Sequence, residues 1–191
     1  MPAPAPENLP RCRWAVTDPL LRQYHDEEWG VPIRDSRELW ETLVLESFQA
    51  GLSWAIVLKR REGFRKAFAN FDPEKVALFT EQDIDRLMQD PGIIRARAKI
   101  KATIGNAQAY LAMQARGEDL AGFIASLVPD APVYNSTGAV LAQSPLSVTV
   151  SKALKARGFR FVGPVIVYAW MQAVGLIHDH DPSCFRYTPQ V

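Results

Sequence analysis

Only two cysteines occur among 191 residues, Cys12 and Cys184, near opposite ends of the chain. A disulfide-stapled miniprotein is thereby excluded. Charge of one sign is not in excess either: 22 Lys and Arg face 21 Asp and Glu, a net charge of +1. That rules out a uniformly basic coat for polyanions, though not a local basic face. Long apolar runs are also missing. Residues 161–177 carry no charge, but they fall short of the roughly 20 apolar residues of a membrane span and include Gly163, Pro164, Gln172 and Gly175. They read as a buried core helix. The opening Met1-Pro2-Ala3-Pro4-Ala5-Pro6 has neither the basic nor the apolar part of a secretory signal. It reads as a short extended tail over 1–10. With 48% hydrophobic and 23% charged residues the chain has the balance of a folded globular domain. The expectation is a cytoplasmic protein with no membrane contact, one domain over 11–187 whose two lobes share a core, and a tail at 188–191.

What is present is helical punctuation. Asp35 with Glu38 has capping-box spacing and opens a segment that places Leu39, Leu43 and Ser47 on one stripe. Gly51 interrupts it, Ser53 can cap a helix from Trp54, and Phe64, Ala67, Phe68 and Phe71 continue a helical period. Asp72-Pro73, and Thr80 with Asp83, start two further short helices. After the turn Asp90-Pro91-Gly92, the residues Ile94, Ala98, Ile104, Ala107 and Leu111 predict a long helix ending at Gly117. Shorter helices are predicted over 120–127, 151–157 and 164–174, with 129–148 and its three prolines as the long loop. No segment reads as a strand. The predicted fold class is all-α.

Four residues are of zinc-ligating type: Cys12 and His25 early, His180 and Cys184 late. Two thiolates and two imidazoles complete a tetrahedral shell, and a closed shell would be structural, clasping the two ends of the chain. His180 and Cys184 are spaced for one turn, whereas twelve residues separate Cys12 from His25. Residue types alone leave open the other reading, two ordinary thiols and unrelated histidines. His178 is spare and expected to be exposed.

Glu46 lies seven residues beyond Leu39 and so falls on the same apolar stripe. A buried carboxylate is costly without a partner. Either Glu46 edges toward solvent or an arginine, or it forms the floor of a pocket. Trp14, Tyr24, Trp29 and Trp54 all lie within the first 54 residues. Each alone is an ordinary core residue. Together with a carboxylate, indole and phenol faces suit a flat, cationic ligand.

The run from Asp90 to Ile94, followed by Arg95, Arg97, Lys99 and Lys101, has the pattern of a helix–hairpin–helix element. There a glycine lets the backbone approach a phosphate, and the next helix presents free N–H groups. The alternative is an ordinary helix connection with a solvated basic face. Lys152, Lys155, Arg157 and Arg160 form a second basic group.

Taken in order, the motifs resemble the DNA-3-methyladenine glycosylase I family of bacterial alkylation-repair enzymes. The resemblance covers residues 11–187. It rests on Arg11-Cys12-x-Trp14, on the run from Tyr24 through Trp29 to Pro32, and on Leu45-Glu46-x-x-Gln49-Ala50-Gly51-Leu52-Ser53-Trp54. Gly92-Ile93-Ile94-Arg95, Ser151-Lys152-Ala153-Leu154-Lys155, Arg157-Gly158-Phe159, Phe161-Val162-Gly163, Met171-Gln172-Ala173 and His180-x3-Cys184 follow. It implies a helix–hairpin–helix glycosylase fold and a structural Zn2+ on Cys12, His25, His180 and Cys184. It also implies a base pocket of Glu46, Tyr24 and Trp54 with Trp14 and Trp29 nearby, Glu46 being the catalytic residue. The implied DNA contacts are Gly92, Ile93, Ile94, Arg95 and Lys152, with Gly51 and Leu52 against the gap left by an extruded nucleotide. Alkylated double-stranded DNA would be the partner, free 3-methyladenine the product, and the enzyme a monomer. Related glycosylases carry an aspartate well past the hairpin, yet residues 92–117 hold no Asp or Glu. Selectivity would then come from binding a base that is already cationic. A non-catalytic damage-binding module is the rival reading, and it gives Glu46 no task.

Overall fold

The computed structural model describes residue 6 and residues 8–135 and 139–188. Most of the Pro-rich tail and residues 189–191 lie outside the described residues. A 3-10 turn, Arg13–Ala15, leads into α1 (Pro19–Glu27), α2 (Ser36–Gln49), α3 (Trp54–Leu58) and α4 (Arg61–Ala67). A second 3-10 turn, Ala69–Phe71, precedes α5 (Pro73–Val76), α6 (Glu81–Gln89), α7 (Arg97–Gln114) and α8 (Leu120–Ala125). Strand β1 (Val133–Tyr134), α9 (Pro145–Ala156), α10 (Pro164–Ala173) and strand β2 (Ile177–His178) complete the order.

Local chemistry sets the helix starts. The Asp35 carboxylate accepts from the Arg37 and Glu38 N–H groups at 2.9 and 3.0 Å, which satisfies two donors at the head of α2. Thr80 and Asp83 exchange capping bonds ahead of α6, and Asp72 caps α5 with Pro73 in its first turn. Nearly every turn of α2 is buried: Leu39, Trp40, Leu43, Val44, Leu45 and Phe48 all belong to the core. Against it pack Val167, Trp170 and Met171 of α10, Ile100 and Tyr110 of α7, and the rings of Phe64, Phe68 and Phe71. The Trp170 indole N–H donates to the Leu39 carbonyl at 3.1 Å. Because α2 packs so deeply in this core, a charged residue on its inner face is largely shielded from water.

Several expectations are corrected. The 129–148 loop is shorter than its composition suggests, because Ser144 and Ser147 form a reciprocal cap and α9 begins at Pro145. The basic 151–157 segment is the second half of that helix. Val133 and Tyr134 pair in parallel with Ile177 and His178, so the helical fold holds a two-residue sheet. His178 is consequently half-buried rather than exposed, against the ring of Tyr134. The phenylalanine series is broken too: Ala69, Asn70 and Phe71 all have positive φ, which ends helical geometry before Phe71. Among the described residues no helix is long and apolar enough to cross a membrane.

The turn between α6 and α7 is held from two sides. The Asp90 carboxylate accepts from the Gly92 N–H at 2.7 Å. Gly63 of α4 packs directly on the Gly92 backbone, and a Cβ on Gly63 would collide with the Gly92 carbonyl oxygen. Glycine at 63 is thus required by close approach, and α4 serves as the bed for the hairpin turn.

Candidate active site and metal cluster

Cys12, His25, His180 and Cys184 converge, and their ligand atoms all lie within 4.8 Å of one another in a buried cluster. The Sγ of Cys184 is 3.3 Å from His25 Nε2 and 3.7 Å from His180 Nδ1, and Cys12 Sγ is 3.5 Å from His180 Nδ1. Zinc–sulfur and zinc–nitrogen bonds arranged tetrahedrally give ligand–ligand edges of about 3.3–3.8 Å. The spacings fit a zinc ion. Backbone N–H groups of Asp181 and Arg186 donate to Cys12 and Cys184 sulfur at 3.3 and 3.4 Å, as befits thiolate acceptors. Burial, with Cys184 close by, pushes the Cys12 thiol up to about 12, and burial holds His180 down to about 3. Neutral imidazoles are thus ready to ligate, while the thiols need a cation to become thiolates.

The orientation of each imidazole is fixed from behind. Asp26 accepts from His25 Nδ1 at 2.8 Å and is gripped by Arg11 through Nε and Nη2 at 3.0 and 2.8 Å. That leaves His25 Nε2 aimed at the sulfurs, the tautomer a metal ligand needs. His180 is hydrogen-bonded to the Trp29 backbone, and the ring sits close enough to Gly30 (φ +78) that a Cβ there would stand 3.1 Å from Nε2. Arg11 and Asp26 belong to the motifs that carry the resemblance, but neither was assigned a role from the sequence. The adjacency of His25 and Asp26, a histidine with a neighbouring carboxylate, was the available signal.

Beside Tyr24, the neighbour of His25 in sequence, the chain supplies a different kind of site. Glu46 is 4% exposed, and its Oε2 has no hydrogen-bond partner among the described residues. Burial alone raises its carboxyl to about 8. Tyr24 of α1 is buried beside it, and burial together with the Glu46 charge holds the phenol well above its usual range. The Tyr24 and Trp54 rings lie 5.4 Å apart, and the Trp54 indole N–H is also buried without a partner. A carboxyl oxygen that can accept and an indole N–H that can donate therefore stand unsatisfied next to two aromatic faces. The buried Trp40 indole N–H in the core is also without a partner, so it is the grouping of an acceptor and a donor with aromatic faces that suits a ligand here. Neither of two surface clefts, about 490 and 310 Å³, is lined by any of these residues.

Trp14 joins the two sites. Its ring is 6.4 Å from Tyr24 and 5.3 Å from His25. Trp29 stands on the metal side, 4.5 Å from His180 and 5.1 Å from Trp14. Cys12 and Trp14 are two residues apart, and Tyr24 directly precedes His25. The cluster thus fixes the chain beside two of the aromatic walls. A further brace is the ion pair of Arg61 with Glu28, which ties α4 to the end of α1.

The basic run after the hairpin is largely committed. Arg97 pairs with Glu81 and Asp85 at 2.7 Å each, and Lys101 pairs with Glu81 at 2.6 Å. Lys99 donates to the Phe48 and Ala50 carbonyls at 2.9 Å, capping the end of α2 ahead of Gly51 and Leu52. Arg95 is exposed, with no ion-pair partner among the described residues. Ile93 is buried, Gly92 and Ile94 are partly buried, and Leu52 and Lys152 are exposed. Arg157 is held by Glu118 and lies over the Phe123 ring at 3.7 Å.

A family model described as methyladenine glycosylase matches residues 14–187. The chain belongs to the methyladenine glycosylase family. DNA-3-methyladenine glycosylase 1 of Escherichia coli (strain K12) is 50% identical to it over 183 residues, covering 94% of this chain and 97% of the relative. A crystal structure of 3-methyladenine DNA glycosylase I superposes with a TM-score of 0.90 at 48% identity, covering 94% of this chain and all of that one. A crystal structure of a variant of 3-methyladenine DNA glycosylase I in complex with 3-methyladenine has a TM-score of 0.84 at 39% identity, over 93% and 99% of the two chains.

Proposed function

We propose that this protein is a monofunctional DNA glycosylase that hydrolyses the N-glycosyl bond of N3-methyladenine in alkylated double-stranded DNA, releasing free 3-methyladenine. The observation that carries the reading is Glu46: a buried carboxyl whose Oε2 has no partner among the described residues, close enough to Tyr24 to raise its phenol, while the Tyr24 ring lies 5.4 Å from that of Trp54. Such a group is destabilising until something cationic or hydrogen-bonding meets it. Adenine methylated at N3 and still attached to deoxyribose is a flat cation, and supplies both.

The chemistry follows from that match. A base within a duplex must leave the stack before its glycosidic bond can be reached, at a cost of a few kcal/mol that is smaller for a weakened pair. Once in the pocket, the purine lies against the Trp54 and Tyr24 faces. Glu46 takes hydrogen bonds from the base and is favoured as the anion by its charge. Cleavage moves the glycosidic electron pair onto the base, which departs neutral, while water adds to the sugar carbon and gives up a proton to solvent. Because the leaving group is already activated, no strong general acid is needed. This is in keeping with the lack of any Asp or Glu over 92–117. A lyase step would need a lysine in an apolar pocket, and half-buried Lys99 is tied to two carbonyls instead.

We read residues 11–187 as one catalytic domain of helix–hairpin–helix type, acting as a monomer. Cys12, His25, His180 and Cys184 would hold a structural zinc ion, whose contribution is to lock the aromatic walls in place. Gly92 to Arg95, Gly51, Leu52 and Lys152 would meet the DNA. The direct test is to incubate methylated duplex DNA with the protein and assay the released bases. Free 3-methyladenine is expected, and the Glu46→Gln variant should release far less. Binding to methylated DNA without base release would favour the damage-binding module instead.

A further inference from the structure

The connection from α9 to α10 carries Phe161 at φ +55, the left-handed region that bulky side chains seldom adopt. Three successive residues of that connection are pinned by buried side chains from three helices. Asn106 of α7 donates to the Arg160 carbonyl at 3.0 Å and accepts from the Arg160 N–H at 2.7 Å. Ser47 of α2 donates to the Phe161 carbonyl at 2.9 Å. Ser151 of α9 donates to the Val162 carbonyl at 2.6 Å. A strained backbone persists only where its surroundings over-determine it, and such strain gathers at working sites.

The clamp does not serve to bury the ring it carries. Phe159 and Val162 on either side are buried, while Phe161 is 40% exposed beside the exposed Arg160. Ser47, which holds the Phe161 carbonyl, is the residue after Glu46 on the same helix. The other end of that helix turn is pinned as well. Lys99 holds the Phe48 and Ala50 carbonyls, just ahead of Leu52, which is 39% exposed. Two exposed apolar side chains are therefore carried on rigid backbone at the carboxyl-bearing end of α2, with Arg160 and Lys152 exposed alongside. Apolar side chains beside cations suit unstacked nucleobases, which offer a π-face whatever their sequence. They also suit wedges that part base steps.

We infer that Phe161 is a second apolar probe, distinct from Leu52, that stacks on a nucleobase adjoining the lesion and keeps the duplex open while the target nucleotide is out. The inference rests on the glycosylase reading above. Glycine is at ease at positive φ, so Phe161→Gly removes the ring without straining the loop and should melt at or above the wild-type temperature. With that variant the kcat/KM for 3-methyladenine release from methylated duplex should fall tenfold or more, and Phe161→Tyr should restore most of it. In a duplex carrying 2-aminopurine beside a stable abasic analogue, wild type and Phe161→Tyr should change the fluorescence on binding, and Phe161→Gly should not. Binding of free 3-methyladenine should be unchanged within twofold in both variants, because the pocket is intact. Excision by Phe161→Gly within twofold of wild type, or an equal loss of free-base binding, overturns the role. If wild type itself releases no base, the glycosylase reading fails first and this role with it.

Discussion

Replacing Glu46 by glutamine separates the cost of the pocket from its use. The carboxyl is fully buried and has an ordinary value of 4.5, raised in the fold to about 8 by burial alone. A raised folded value means that the protein holds the neutral acid in preference to the anion. The fold therefore gains nothing from Glu46 ionisation, and loses stability as pH climbs from the unfolded value to the folded one. At 1.36 kcal/mol per unit, the penalty relative to a group that never ionises is about 1 kcal/mol at pH 5, about 3 at pH 7 and about 5 above pH 9. Glutamine keeps the shape and cannot ionise. Glu46→Gln should accordingly match wild type below pH 4.5 and exceed it by those amounts above, with a rise in Tm of roughly 6–12 °C at pH 7. Denaturant melts of both proteins at pH 5, 7 and 9, beside a base-release assay at each pH, make the test. A stability gap that does not widen with pH, or a variant less stable than wild type at pH 9, would show that Glu46 is solvated or paired and that the pocket argument is wrong.

The same titration predicts the rate profile: kcat/KM of wild type should climb with pH to a plateau above about 8, as the anion that meets the cationic base becomes populated, and the pH-rate curve of Glu46→Gln should lack that limb. Cys184→Ala should lose bound metal and thermal stability together, read by metal analysis and a melt; full zinc stoichiometry in that variant would mean the wrong ligand. Gly63→Ala should cost about 1–3 kcal/mol and weaken DNA binding, because the new methyl pushes on the Gly92 carbonyl under the hairpin. Arg95→Ala should weaken binding to duplexes of any sequence and lower the salt dependence of binding by about one counterion, measured by titration at several salt concentrations.

The residues that bear chemistry were legible because chemistry restricts residue type. Two thiols, two imidazoles and a carboxyl on an apolar stripe are visible without coordinates, and the structure brings the thiols and imidazoles together and buries Glu46. Helix starts were legible for a similar reason, since Asp35, Asp72 and Thr80 act within three residues of where they stand. What failed to show depends on partners far away in the chain. The basic run after Gly92 looks like a DNA-binding stripe until Glu81 and Asp85 claim Arg97 and Lys101, and α2 claims Lys99. A two-residue strand has too short a period to read, and β1 exists because the Leu176 and His178 carbonyls lie opposite the Val133 and Asn135 N–H groups. Prolines suggested a loop at 145, where Pro145 in fact occupies the first turn of α9. The Phe161 clamp was hidden because Asn106, Ser47 and Ser151 are unremarkable residues in three separate helices.

The sulfur–imidazole contacts bridge 168 positions between Cys12 and His180. The rings of Trp14 and Tyr24 are therefore steadied by a knot whose strands come from distant stretches of the chain, and the early stretch cannot settle its aromatic side chains until the late one has joined it.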